Sequence, residues 1–330
     1  MNTKKIKNYI DNKFNKKEKF ILNEIKGDAS NRKYYRAESK NRKYIIMDSS
    51  LEKRNFNNFL KFTKIYSNNK IFVPEIFNIN NKKKILIMED LGKNLIFDKV
   101  NEINKKIIYE KAILNILNIQ NINSKNIYKY TKEYYFSESY LFIDWVLKKF
   151  MKIRISKKDS DNLSRSLKIM INNINHDSNK LVHRDYHSKN IFYKNKRIII
   201  IDYQDSLYGS PLYDFVSLVN DCYRDMGKMQ RNKLIKIFLA GFNENNVSNF
   251  SIDEFLHNFY LVTAQRHLKA AGIFCRLSVR NKRHNYLPYL NRTLNYIVNA
   301  TSYYDNLNII NSYANEALKF LNESNHSRSR

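Results

Sequence analysis

The chain is poor in the residues that punctuate and staple a fold: 330 residues contain 6 glycines, 3 prolines and 2 cysteines. Cys222 and Cys275 stand far apart, which excludes a disulfide framework and offers no closely spaced zinc ligands. That usage fits a reducing cytoplasm, the expected location. No apolar run approaches the ~20 residues that cross a bilayer, so no membrane insertion is expected. The N-terminal stretch MNTKKIKNYIDNKFNKKEKF is charged but is followed by no apolar segment, unlike a secretory signal. No internal repeat and no Ser/Gly-rich linker divides the chain.

Acidic residues are also short, with 31 Asp and Glu against 59 Lys and Arg and a formal net charge of +28. A basic surface can draw nucleic acid, acidic lipid or phosphorylated ligands. Here the charge is spread along the whole chain. It accompanies an abundance of Lys, Asn, Ile and Tyr, the residues that A- and T-rich codons favour. No specific nucleic-acid partner is therefore expected.

Apolar residues make up 43% of the chain, including 24 Tyr and 20 Phe, enough for a substantial core. The length suits two lobes sharing a cleft. The charged stretch up to Asn23 has spaced apolar residues and predicts a helix. A small-residue turn, Gly27-Asp28-Ala29-Ser30, leads into Tyr34–Glu38. Lys40-Asn41-Arg42 then turns the chain into Tyr44–Met47, completing a hairpin. Phe56, Phe59, Leu60 and Thr63 have helical spacing. Asn80-Asn81-Lys82 turns an extended stretch into Ile85–Met88, and Gly92 ends the strand signal. Beyond Gly92, helical spacing dominates, as in Ile107, Lys111, Leu114 and Leu117. One exception is Arg197–Ile201, which reads as a buried strand. After Pro211, Phe215, Leu218, Val219 and Cys222 form one apolar stripe. The polar Asn322–Arg330 reads as frayed. The fold class expected is α+β, a two-lobed kinase-like fold. Residues 1–88 would form a β-rich nucleotide-binding lobe, 89–92 a hinge, and 93–330 a mostly helical catalytic lobe.

The decisive segment is Leu181-Val182-His183-Arg184-Asp185-Tyr186-His187-Ser188-Lys189-Asn190-Ile191. It matches the catalytic-loop pattern H-R-D-x-x-x-x-N position for position, and Asp202 follows Asn190 by twelve residues. Phosphoryl transfer needs these types in this order. A carboxylate, Asp185, orients the acceptor hydroxyl and takes its proton. Magnesium prefers hard oxygen ligands, which Asn190 and Asp202 supply beside the phosphates of ATP. His183 is read as a brace of the loop. Other kinase parts are missing: no G-x-G-x-x-G loop is present, Asp202-Tyr203-Gln204 replaces D-F-G, and no A-P-E follows. Only a short stretch separates Asp202 from the helix after Pro211, where a protein kinase needs a long peptide-holding segment. A small acceptor is therefore expected.

At these residues the chain resembles the aminoglycoside phosphotransferase and choline kinase superfamily. Within it, the bacterial N-acetylmuramate/N-acetylglucosamine 1-kinases are most similar. Gly27-Asp28-Ala29-Ser30 with Arg32, Tyr34 and Arg36 resembles their opening motif G-D-A-S-x-R-x-Y-x-R. Met88-Glu89-Asp90-Leu91-Gly92 resembles their hinge, and Asp202-Tyr203-Gln204-Asp205-Ser206 their D-F-Q-D-A. Gln265-Arg266-His267-Leu268-Lys269, Gly272 and Arg276 resemble a late helix.

The resemblance implies Asp185 as base and Asn190 and Asp202 as Mg2+ ligands. It also implies ATP against the backbone of Met88, Glu89 and Asp90, with Gly27, Asp28, Ala29 and Ser30 over the phosphates. Met47 occupies the usual phosphate-binding lysine position, and Arg36 or Arg32 is expected to supply the missing charge. Gln204 and Asp205, next to a metal ligand, are expected to face a sugar acceptor. For Arg266, His267 and Arg276 two roles are open: contact with the acceptor's carboxylate, or capping and packing. Trp145 either stacks on a sugar or packs in the core, and Asp214 is read as a brace at the start of its helix.

These readings lead to an ATP- and magnesium-dependent kinase that phosphorylates an amino sugar at its anomeric hydroxyl in cell-wall recycling. Two alternatives stand beside it: a kinase of an aminoglycoside, choline or another amino alcohol, and a non-catalytic basic interaction protein on a kinase scaffold.

Overall fold

Alternating apolar residues and polar turns lay down strands first and helices later. The computed structural model describes residues 3–13, 19–25, 32–174, 180–246 and 249–328. In chain order its elements are α1 (Thr3–Lys13), β1 (Ile21–Ile25), β2 (Lys33–Glu38), β3 (Lys43–Asp48), α2 (Lys53–Asn68), β4 (Ile76–Asn80), β5 (Ile85–Glu89) and α3 (Ile96–Lys99). There follow α4 (Lys105–Gln120), α5 (Lys132–Leu141), a π-helical segment (Phe142–Phe150), α6 (Lys157–Asn173), β6 (Lys180–Val182), β7 (Ile191–Lys194), β8 (Arg197–Ile200) and β9 (Leu207–Gly209). The chain ends with α7 (Tyr213–Val219), α8 (Lys228–Glu244), α9 (Ile252–Asn281), α10 (Leu290–Thr301) and α11 (Asn308–Arg328).

By its internal contacts the chain divides into two units. One comprises Met1–Lys99 with Asn190–Asp205, the other Val100–Lys189 with Ser206–Arg330. The expected boundaries ran differently, placing residues 190–205 with the helical part. In the structure the β7–β8 hairpin joins the first unit, because Ile200 N–H donates to Phe72 O and Tyr193 N–H to Asn94 O.

The first unit carries an antiparallel sheet of order β1-β2-β3-β5-β4. Strand alternation gives it two faces. Tyr35, Ala37, Ile46, Ile85 and Ile87 point to one face and bury Ile6 and Ile10 of α1. Tyr34, Arg36, Met47, Leu86 and Met88 belong to the other. The registers Tyr34↔Met47↔Leu86 and Arg36↔Ile45↔Met88 align them. The expected α+β class is borne out.

In the second unit α9 is the central strut. A capping box joins Ser251 and Glu254 at its start. A residue without a side chain is required where it passes Leu141, because a Cβ on Gly272 would lie 2.5 Å from the Leu141 carbonyl carbon. Gly272→Ala is expected to cost about 1–3 kcal/mol through overpacking against backbone. Gly241→Ala is the contrast: there the nearest atom is Leu117 Cδ1, a methyl that can rotate away, and alanine's helix propensity offsets the crowding. Urea midpoints of the two variants check this; equal midpoints would mean that α9 shifts freely past Leu141.

Two sequence readings differ locally. Cys222 lies beyond α7, which ends at Val219, and packs with Ala270, Phe274, Leu277 and Tyr286. The C-terminal stretch continues α11 to Arg328, with no glycine or proline to stop it.

Candidate active site

The expected residues fall into two groups, one in each unit. In the first, the β7–β8 hairpin sets the spacing between Asn190 and Asp202. Ile191 pairs with Ile200, and Ile201 N–H donates to Asn190 O at 3.0 Å. The two oxygen-bearing side chains therefore flank the base of one hairpin. Asp202 has φ +62°, a left-handed conformation that Asp tolerates better than most residues. Its neighbour Tyr203 is fully buried and stacks on Phe59 of α2, with ring centroids 5.0 Å apart. Thr63 Oγ1 already donates to Phe59 O, so the Tyr203 hydroxyl, 2.9 Å away, donates to Thr63. Tyr203 thus anchors the turn that carries Asp202 to α2.

Around Asp202 the structure revises two expectations. Gln204, expected to face an acceptor, is buried and turns back: its Nε2 donates to Asp202 Oδ1 at 3.1 Å and to Asp205 Oδ2 at 3.0 Å. Arg36, expected to supply phosphate charge, is engaged by Asp90 through a forked pair of 2.7 and 3.1 Å. The cation against Asp202 is Arg32, whose Nη2 lies 3.1 Å from Oδ1. Asp90 also accepts the Gly92 N–H, and Glu89 holds Lys194 Nζ at 2.8 Å, so both acidic side chains here serve as braces. Met88 is buried in β5. Gly27, Asp28, Ala29 and Ser30 lie outside the described residues.

The second unit holds Asp185 in the loop after β6. Asp214, in the first turn of α7, accepts the backbone N–H groups of His183 at 2.6 Å and Arg184 at 2.9 Å. It therefore braces the catalytic loop, not the start of its own helix as read from the sequence. His183 Nδ1 accepts the Asp185 N–H at 3.3 Å, the bracing role read from the sequence. Arg184 sits at φ +76°. Its guanidinium is fixed by Glu138 at 2.5 Å and by the rings of Tyr130 and Tyr134, which helps hold that strained backbone.

Asp185 opens into a pocket lined by His187, Tyr213, Tyr223 and, from α9, Arg266, Lys269, Ala270, Ile273 and Phe274. Burial alone would raise the Asp185 carboxyl; the Lys269 ammonium and the loop's own cations outweigh it and hold it well below the usual range. Lys269 is buried and lies 3.4 Å from Glu138 Oε1. Neither Lys269 nor Glu138 was assigned a site role from the sequence. Lys269 stood within the Gln265–Lys269 motif, one turn from Arg266, whereas Glu138 gave no signal. Arg266 reaches the pocket while donating to Ser217 Oγ at 3.2 Å and Cys222 Sγ at 2.7 Å.

His267 does not line the pocket. It is fully buried, with its ring nitrogens 2.7 Å from the carbonyls of Thr263 and Asn220. Its geometry is that of a packing residue. Arg276 lies two residues beyond the pocket-lining stretch of α9, half-buried, its Nε without a hydrogen-bond partner among the described residues. Trp145 sits on the π-helical segment beneath the Arg280 guanidinium. Asp205 is exposed beside Gln204.

Buried His187 makes stability pH-dependent. Burial pushes it down to about 4, whereas it titrates near 6.5 when unfolded. Below pH 6.5 the unfolded chain takes up a proton that the native state refuses. This contribution to stability is therefore complete above 6.5 and is lost as pH falls toward the folded value. Asp214 opposes this: burial raises it to about 6 from 3.8, so the native state binds its proton first. Between pH 6.5 and 5 His187 costs about 2 kcal/mol and Asp214 returns about 1.4. The two nearly offset, and His187→Gln removes one side of the balance. Between pH 7 and pH 5 the variant is expected to gain about 2 kcal/mol over the wild type, measured from urea midpoints. An identical pH dependence in the two proteins would contradict neutral burial of the His187 imidazole.

The model of the phosphotransferase enzyme family matches residues 21–244, and the chain belongs to that family. The enzyme class expected from the sequence, a small-molecule phosphotransferase, is that of the family. A relative in Neisseria meningitidis serogroup B, named N-acetylmuramate/N-acetylglucosamine kinase, is 25% identical over 92% of this chain and 92% of its own length. A Pseudomonas aeruginosa protein of the same name is 24% identical over 83% of this chain and 82% of its own. Among solved structures, LicA in complex with AMP superposes with a TM-score of 0.64 and 13% identity, covering 90% of this chain and 98% of that one. The choline kinase LicA from Streptococcus pneumoniae superposes with a TM-score of 0.62 and 13% identity, covering 89% of this chain and 99% of its own.

Proposed function

We propose that the chain is an ATP- and magnesium-dependent kinase that phosphorylates N-acetylmuramate, N-acetylglucosamine or both at the anomeric hydroxyl, in cell-wall recycling. The observation that carries this reading is a half-buried carboxylate, Asp185, in a pocket whose other charged lining is cationic. The relatives' shared name supplies the acceptor class, and AMP on LicA favours an adenine nucleotide as donor. The basic pocket suits the carboxylate of N-acetylmuramate better than the amines of choline or an aminoglycoside.

The donor set fits magnesium. Asn190 and Asp202 offer an amide and a carboxylate oxygen, and magnesium sites in such enzymes use one or two carboxylates plus phosphates rather than a full protein cage. When bound there, the ion would neutralise charge on the transferred phosphoryl group. Asp185 would orient the C1 hydroxyl and accept its proton as the new O–P bond forms and the bond to the leaving ADP oxygen breaks. Asp214 and His183 keep Asp185 in place. The nucleotide-binding residues are proposed to lie in 1–88, with a hinge at 89–92.

No helix among the described residues is long and apolar enough to cross a membrane. The two cysteines are free and buried, which supports action in a reducing cytoplasm. The test is ADP release with N-acetylmuramate, N-acetylglucosamine, choline and kanamycin, followed by product NMR. Phosphate on C1 of an amino sugar is expected. Turnover on choline or kanamycin alone would keep the phosphotransferase chemistry and sink the acceptor assignment.

A further inference from the structure

A phosphotransferase must set a cation against the nucleotide's phosphates, and kinases with this catalytic loop take it from a lysine on the third strand, paired with a glutamate on the following helix. Here that strand is β3, and its Met47 is fully buried and uncharged. Arg36 is committed to Asp90. Lys43 is exposed and paired with Glu38.

Arg32 has the required setting. Tyr34 pairs with Met47, so residues 32, 34 and 47 share one sheet face, with Arg32 entering just before β2. Arg32 is 8% exposed. Its Nη2 lies 3.1 Å from Asp202, its Nη1 3.1 Å from Gln204 Oε1 and its Nε 3.7 Å from Glu52, the residue immediately before α2. A cation and a helix-borne carboxylate thus recur with both partners moved: Arg at the mouth of β2 replaces Lys on β3, and Glu52 stands at the head of the helix. All four residues belong to the first unit.

We propose that Arg32 is the phosphate-binding cation of this enzyme. Its planar fork donates to nucleotide phosphate oxygens, Glu52 fixes its charge, and Asp202 with Gln204 fixes its direction. Gln204 then acts as a positioning residue in the D-Y-Q-D motif, holding the cation and the metal ligand in register, rather than as an acceptor contact. The inference rests on ATP as the donor and is independent of the acceptor.

Calorimetric titration of the full chain with Mg-ADP tests it. Arg32→Met is expected to weaken binding about tenfold or more, the scale of lost charge-assisted hydrogen bonds. Arg32→Gln keeps an amide donor for Asp202, supporting the fold if the methionine variant fails to fold, and is expected to lose as much affinity. Arg32→Lys is expected to recover part of it, and Lys43→Met to leave it unchanged. Arg32→Gln or a folded Arg32→Met binding Mg-ADP within twofold of wild type would overturn the assignment. A wild-type chain that binds no Mg-ADP would overturn it together with the donor reading. Normal Mg-ADP binding without amino-sugar turnover would sink only the acceptor reading, so the two failures are distinguishable.

Discussion

Asp185→Asn is expected to lower kcat by about 10²–10⁴-fold, the range for removing a positioned acid–base group. Asparagine keeps the size and one acceptor oxygen but cannot take the acceptor's proton or hold its charge beside Lys269. The proposed nucleotide ligands lie elsewhere in the chain, so KM for Mg-ATP is expected to move no more than a few-fold. Lys269 and the loop cations hold Asp185 well below the usual carboxylate range despite burial. It stays ionised throughout neutral pH, and the wild-type rate is expected to show no acid limb from Asp185 above pH 5. Steady-state kinetics of both proteins, with matched urea titrations to show that the variant folds, measure this. A variant keeping more than about a tenth of wild-type kcat would remove Asp185 from the role of base.

The features legible in the sequence were those written locally. Alternation and polar turns gave the β2–β3 and β4–β5 hairpins, and four consecutive isoleucines bounded by Asn195 and Asp202 gave β8. The order His183, Asp185, Asn190, Asp202 pointed to phosphoryl transfer because that chemistry needs a base and two metal oxygens at short chain separations. Asp214 was readable as a brace but its target was not: its carboxylate accepts N–H groups of the catalytic loop, 30 and 31 residues away, rather than those of its own helix.

The features hidden were pairings made across long separations. Arg32 and Arg36 are equivalent by composition and nearly so by position. Which one meets Asp202 is decided by Asp90, 54 residues from Arg36, whose carboxylate takes the second fork. Gln204 looked like an acceptor contact because it is close in sequence to a metal ligand. Two residues along a left-handed turn, however, bring its amide back onto Asp202 itself. His267 and Arg266 are adjacent on α9, yet helical rotation sends one into packing and the other into the pocket. Such outcomes follow from rotation and packing that no local motif encodes.

Glu138 is the clearest of these hidden residues, and Glu138→Gln is expected to cost about 3–5 kcal/mol, the scale for stranding buried charge. Its carboxylate gathers Arg184 at 2.5 Å, Lys269 at 3.4 Å and the Tyr130 hydroxyl, and is itself 12% exposed at the side chain. Glutamine preserves shape and an acceptor oxygen but removes the charge, leaving two buried cations to be balanced by Asp185. Lys269 would then be drawn toward Asp185, and turnover is expected to fall along with stability. Adding Lys269→Met to Glu138→Gln separates the two effects. If charge balance is the cause, the double variant loses one stranded cation and regains part of the stability, so the single costs do not add. It does not regain turnover, because the ammonium that holds Asp185 ionised is gone. Urea unfolding of the four proteins completes the cycle. Strictly additive costs, or a Glu138→Gln cost below about 1 kcal/mol, would mean that the cluster is held by packing, leaving Asp185 to be kept ionised by its own loop alone.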